Sequence, residues 1–492
     1  MARRLEICAL GFALAGVFAI ATMAQQKSEM KNMRLVGYSD LQGRNAYMPV
    51  IQKQGDRWIA YLAHHSDNPL RVNSLTGQAE PNGTSIVDVT DPAHPKYLFH
   101  IPGQPGGGAG FNRACSGDDL PHAEKGKYYL LRAFGNVAWE MWDVTNPSAP
   151  HRLNVIVDGL ENTRNSWWEC DSGIAYLGGG TLGWRNTPMG KVRFDALSHT
   201  LIYDLSDPAK PVFVRTFGLP GQQQGSPTPQ PLVGLHGLLS TGPKGNRVYF
   251  SNGTAQDGIL EIVDREKLLN GPKEPTDENL RYPVVGEIDL PPDAGTNLSF
   301  PLLHMHLPEF AKQNEGSVKD FLAVIGGGHA NFYECQDARQ MMRIFDVTTE
   351  SRPVGVSTWT VPEASGHFCT SGGYFSTHAS NQSFTPIYYE RILFIAHHNA
   401  GVRAVDIRDP YNPKEIGYYI PAANDMTTES CVGEGAERHC KIAIDTNNVE
   451  ADDRGYIYLA DSHDTGMHIL ELTGPARELA DFSKAEKAAA KH

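Results

Sequence analysis

One phrase recurs along this 492-residue chain, and it dictates the kind of fold the chain can form: "SIVDVTDPAHP", "EMWDVTNPSAP", "LIYDLSDPAKP", "MRIFDVTTESRP" and "VRAVDIRDPYNP". Two degenerate copies, "LEIVDREKLLNGP" and "HILELTGPARE", join them. The anchoring acids are Asp88, Asp143, Asp204, Asp264, Asp346, Asp406 and Glu471, at intervals of 55, 61, 60, 82, 60 and 65 residues. The apolar, β-branched run before each acid predicts a strand. The Asp-Pro-x-x-Pro after it predicts a turn, because proline presets φ and a short acid bonds its own backbone. A second strand leaves the turn, as in "KEIGYYI", and another precedes the phrase, as in "RILFIAHH". With a less regular stretch in front, each unit reads as four antiparallel strands, A to D.

Seven such units predict an all-β, seven-bladed propeller. The last copy lacks a D strand, and "NMRLVGY" near the N-terminus is a strand without a partner. Added to the last blade, it closes the ring and removes the exposed edge an open ring would carry. The expected organisation is a signal peptide over 1–24 and a propeller over 25–475. Its blades fall near 40–101, 110–158, 159–218, 229–290, 293–362, 370–421 and 440–474 with strand 32–38, and a solvated tail covers 476–492. Glycine and proline, at 49 and 32 residues, suit so many turns.

The repeated phrase resembles that of the LVIVD-repeat family of bacterial β-propellers. The resemblance covers nearly the whole chain after residue 24 and implies the fold. It implies little about activity, because propellers host many. Asp264 and Glu471 depart from the phrase, so their blades are expected to be irregular.

Residues 1–26, "MARRLEICALGFALAGVFAIATMAQQ", place two arginines before a short apolar run and small residues before Gln25. This pattern predicts a secretory leader cut after Ala24 and a periplasmic or secreted protein with no membrane span after cleavage. Six cysteines follow: Cys115, Cys170, Cys335, Cys369, Cys431 and Cys440. None forms CxxC, so disulfides are expected rather than a zinc ribbon. Cys431 and Cys440, in one glycine-rich loop, are the readiest pair. A net charge of −13 with no basic stripe argues against nucleic acid as a partner. No P-loop, dinucleotide-binding glycine motif or GxSxG elbow is present.

Histidine carries the functional signal. In the inferred register His122, Glu169, His236, His306, His378 and Glu450 begin strand A in blades two to seven, with Tyr47 in the first, and would ring the channel mouth. The B-to-C loops would add His65, His329, His398 and His463 on the same face, and His304 forms an HxH pair with His306. Imidazole with carboxylate suits iron, copper, zinc or manganese. The expectation is therefore a metal-dependent oxidoreductase with a small-molecule substrate. The competing expectation is a metal-free scaffold that binds a periplasmic protein through the mouth loops, with the histidines as structural hydrogen-bonding groups. Hydrolase or lyase chemistry ranks third, for want of a marked nucleophile. Trp167, Trp168, Phe332 and Tyr333 are expected to line a pocket above the site. His94, His151 and His199 are expected at solvated blade rims, and Asp171, Asp461 and Asp464 near the mouth.

Overall fold

The computed structural model describes residues 27–65, 70–181, 183–184, 198–307, 318–327, 335, 338–432 and 435–484. The repeated phrase builds the same turn each time. The side chain of Asp88 accepts from the Thr90 N–H at 2.9 Å, Asp143 from Thr145 at 2.9 Å, Asp204 from Ser206 at 2.8 Å, Asp346 from Thr348 at 3.0 Å and Asp406 from Arg408 at 3.1 Å. The residue before proline repeats the device: Asp91, Asn146, Asp207 and Asp409 each accept from the N–H two residues on. Two successive Asx turns thus reverse the chain between strands C and D.

The degenerate copies differ for local reasons. Asp264 accepts from the Lys267 N–H at 3.0 Å and caps a helix, Arg265–Asn270, that stands where the turn would be. Glu471 is followed by no D strand of its own and instead pairs with Arg34 on the closing strand.

Seven sheets stand in a ring. Their inner strands are Pro49–Gln54, Asn112–Ser116, Asn162–Trp168, Leu235–Ser240, Leu298–His306, an irregular stretch around Ser380, and Thr446–Ala451. In blade 6 the inner strand is reduced to a single bridge, Ser380 to Ile395. The ring is closed by Met33–Ser39, which pairs antiparallel with Gly466–Leu472 from Met33 opposite Leu472 to Ser39 opposite Met467. A short strand just before it, Glu29–Lys31, pairs with Lys414–Ile420 and adds an outer edge to blade 6. The N-terminal segment therefore staples two blades.

Strand D carries a recurrent bulge. Leu98, Val214, Val285, Val356, Ile416 and Val36 are each skipped in the pairing with strand C. One extra residue strengthens local twist, which a radial blade requires. Gly37 and Gly286 follow two of these bulges, where a Cβ would fall 1.9 Å from the Pro92 carbonyl and 2.1 Å from the Glu350 carbonyl. Only glycine lets strand D approach the neighbouring blade's turn so closely.

The core lies between sheets. Ile59, Tyr61 and Ile86 of blade 1 pack on Leu130 and Val144 of blade 2, for example. Disulfides join Cys115 to Cys170, Cys335 to Cys369, and Cys431 to Cys440 across a hairpin. Among the described residues no helix is long and apolar enough to cross a membrane. The secretory leader expected over residues 1–24 lies outside the described residues. The tail differs from expectation over residues 476–484: Ala476, Leu479 and Phe482 pack on the core between blades 6 and 7, and Arg477 stacks 4.1 Å from the Phe482 ring. An apolar residue every few positions gives this short segment a face to bury.

Candidate functional site: an axial channel with two unlike ends

Strands A and C run towards the A–B and C–D turns, so the D–A and B–C loops meet at the other end of the channel. That second end collects His236 from the start of strand A in blade 4, His378 from the inner segment of blade 6, His398 just past strand B of blade 6, and His65 at the end of strand B in blade 1. Tyr47 sits among them, its ring centroid 4.9 Å from His65 and 5.8 Å from His378, and His378 lies 5.2 Å from His398. His236, His378 and Tyr47 line one cavity of about 10 Å³ with Asn165, Asn297 and Gln382, enough for about one water.

Each of three imidazoles is oriented through Nδ1. His236 faces the Asn297 carbonyl at 3.4 Å, His378 the Asn447 carbonyl at 2.6 Å, and His398 the Asp445 carboxylate at 2.5 Å. Nδ1 then carries the proton and Nε2 the lone pair. Burial pushes His236 down to about 3, aided by Arg164, and His378 well below the usual range, aided by His398 and His236. Both imidazoles are neutral at physiological pH. Burial opposes ionisation of Asp445, but His398 and His463, with the Ser462 hydroxyl donating at 2.6 Å, hold it below the usual carboxylate range. Tyr47 is pushed up to about 12 by burial and keeps its proton.

A polar septum closes the channel below. The buried Arg113 donates to the Ser166 carbonyl at 2.7 Å, to the Asn165 side chain at 3.0 Å and to the Gln382 side chain. Burial brings it down to about 9, against the pull of Glu450. Glu450 accepts from the N–H groups of Gln382 and Ser383 at 3.2 Å and of Ala451 at 2.8 Å. Burial nevertheless raises its pKa, with those bonds opposing. Glu450, Arg113, Trp167 and Trp168 enclose a lower chamber of about 190 Å³.

The single ring expected from the sequence is thus divided. His236 and His378 meet at the mouth. His122 follows the inner strand of blade 2 instead of starting it, and is exposed in the A–B loop. His306 ends the inner strand of blade 5 and is exposed at the far end. His304 is not on an extended strand: its φ is 60°, inside a bulge, and it faces Asp320 at 3.4 Å, so the HxH pair does not converge. Glu169 also lies at the A–B end. It is fully engaged by Arg265 at 2.7 Å, Ser240 at 2.5 Å and Tyr176 at 3.0 Å, an interblade tie with no lone pair left for an ion. Glu450 lies in the channel but beyond the septum. His463 is at the mouth end, bonded to the Ala443 carbonyl at 2.8 Å. His329, Phe332 and Tyr333 lie outside the described residues.

The aromatic pair Trp167 and Trp168 lies at the end opposite the imidazoles, as does Asp171. His199 is fully buried and stacked on Trp184 at 4.6 Å, not solvated. Sequence reasoning passed over Asn165, Asn297, Asn447 and Asp445, although an asparagine near the start of most inner strands was a readable signal.

Among the described residues, the only three ligand-type atoms within 4.8 Å of one another belong to Glu429, Cys431 and Cys440, and those two cysteines are spent in a disulfide. The axial imidazoles are therefore grouped and oriented without being closed to coordination distance.

Fold and channel define the class: a seven-bladed β-propeller with a polar, histidine-lined axial mouth. No family model matches the chain and no curated protein matches it. Among solved structures it is similar to Raptor from Chaetomium thermophilum, with 9% identity and a TM-score of 0.51 over 89% of this chain. The chain spans 29% of that protein, and the likeness is one of fold alone. Matches extend to 708 chains, so shape does not discriminate function.

Proposed function

We propose that the axial imidazoles hold one transition-metal ion, iron, copper, zinc or manganese, and that the protein is an exported metal-dependent oxidoreductase acting on a small molecule. The observation that carries this reading is the common Nδ1 engagement of His236, His378 and His398 by two carbonyls and a carboxylate. Metal-binding histidines are oriented in this way by their surroundings. His236, His378 and His398 would supply the nitrogens, with His65 and Tyr47 alongside. A bound ion would contribute Lewis acidity or electron exchange. Around it, Asp445 fixes His398, the Tyr47 hydroxyl offers a proton donor, and the Arg113 septum keeps the site separate from the lower chamber. The disulfides and the secretory leader support export.

Elemental analysis of untagged protein tests this. About one equivalent of one transition metal is expected, falling below about a tenth in the H236A/H378A variant while the circular dichroism of the sheets is retained. Less than about a tenth of an equivalent in wild-type protein, after incubation with each of the four metals in turn, rejects it.

A further inference from the structure

The lower chamber, beyond the septum, brings together two buried charges of opposite sign. Arg113 is 8% exposed and Glu450 7%, and both line this chamber of about 190 Å³. Among the described residues neither takes part in a salt bridge. The attraction between them acts across a gap that no contact closes. Keeping a guanidinium and a carboxylate buried without a bridging partner is costly.

Both groups are held in position by their surroundings. Arg113 spends Nε on the Ser166 carbonyl and Nη2 on the side chains of Asn165 and Gln382, and its guanidinium stacks on Trp167 at 4.9 Å. Its Nη1 makes no hydrogen bond among the described residues, yet it is not sealed from solvent. Arg113 lines the lower chamber and not the mouth cavity, so Nη1 faces the chamber. Glu450 is fixed by the N–H groups of Gln382, Ser383 and Ala451, which are dipoles and carry no net charge.

Size and polarity narrow the ligand. The chamber has room for about six waters, or for a molecule of roughly five to eight heavy atoms. Val50, Ile51 and the two tryptophans give it apolar walls. Trp167 and Trp168 also line the open cavity of about 730 Å³ at the A–B end, which provides the entrance. Glu450 would repel a lone anion and Arg113 a lone cation. A molecule carrying both charges a few bonds apart escapes both penalties and bridges the gap.

We propose that the lower chamber is a second ligand site, one that takes a small zwitterion: an α-amino acid with a short apolar side chain. Its carboxylate would accept from Arg113 Nη1, its ammonium would lie beside Glu450, and its side chain would pack on Val50 and Ile51. The site stands apart from the metal reading, because the septum of Arg113, Asn165 and Gln382 lies between the two.

The test is calorimetric titration of L-valine into the full chain. Saturable binding of one equivalent is expected, with Kd below about 1 mM. Isovalerate, which lacks the ammonium, and isobutylamine, which lacks the carboxylate, should each bind about tenfold more weakly or worse. Glu450→Gln, which keeps the shape and removes the charge, should erase the preference for valine over isovalerate. The H236A/H378A variant should bind valine as wild type does, which separates this site from chelation by a metal at the mouth. Absence of saturable valine binding by wild type overturns the proposal. So does equal wild-type affinity for valine and either analogue, a comparison that needs no variant to fold. Loss of valine binding in H236A/H378A, or an undiminished preference in Glu450→Gln with native circular dichroism, overturns it as well.

Discussion

Removal of the Cys115–Cys170 bridge is the perturbation with the most closely worked consequence. It joins the inner strand of blade 2 to the turn after the inner strand of blade 3, with Cα atoms 5.4 Å apart and a sequence separation of 55. Closing a loop of that length removes freedom from the unfolded chain worth about 4.2 kcal/mol on the loop-entropy relation. The hairpin bridge Cys431–Cys440 spans only nine residues, and the same relation gives about 2.6 kcal/mol. Burial widens the gap. Cys115 is 1% exposed and packs among Leu120, Tyr129, Leu131 and Trp168, so its replacement by alanine adds about 1 kcal/mol of lost packing. The C115A/C170A variant should therefore lose about 5 kcal/mol, and C431A/C440A less than about 3. Urea unfolding followed by tryptophan fluorescence, with both variants compared at the same slope, measures the order. Equal losses, or a larger loss for the hairpin pair, would refute the loop-entropy reasoning.

Two further outcomes follow from the fold and the mouth. Deleting residues 27–39 removes both outer N-terminal strands, including Met33 at 3% exposure. It should lower the thermal midpoint by more than about 10 °C, and a synthetic peptide of those residues should restore part of it; an unchanged melt argues against closure by this strand. At the mouth, burial pushes Asp461 up to about 6 with Asp445 adding to the rise and His463 opposing, and pushes Asp464 up to about 6 with Arg71 opposing. A carboxyl whose folded pKa exceeds its unfolded value of about 3.9 stabilises most below that value and loses the contribution as pH rises through about 6. Asp461→Asn should then flatten the fall in stability between about pH 5 and pH 7.5 by about 1 kcal/mol; an identical pH profile in denaturant titrations contradicts the assignment.

The blade count and the closing strand were legible because their chemistry is local. An acid that bonds an N–H two residues on, as Asp88 does to Thr90 and Asp91 to Ala93, writes its turn into three or four consecutive residues. The register of the inner strands was not. "NTRNSWW" is buried on nearly every residue, so no alternation marks where the strand starts or ends. In blade 6 the inner strand is little more than a bridge. Glu169 shows a second limit. Its meaning depends on Arg265, 96 residues away, whose guanidinium turns a candidate ligand into a structural ion pair. The outer strand over Glu29–Lys31 was unreadable because three exposed residues carry no hydrophobic signal.

The division of the channel has a physical consequence for any chemistry it performs. A propeller axis is a narrow, poorly solvated tube in which an unpaired charge is costly. Here each charged group has a partner: Asp445 the hydrogen bonds of His398 and Ser462 at the mouth, and Arg113 the nearby Glu450 at the waist. At the waist the channel meets a hydrogen-bonded plug of Arg113, Asn165 and Gln382. Two separate cavities, one on each side of the plug, fit these constraints better than one continuous tunnel.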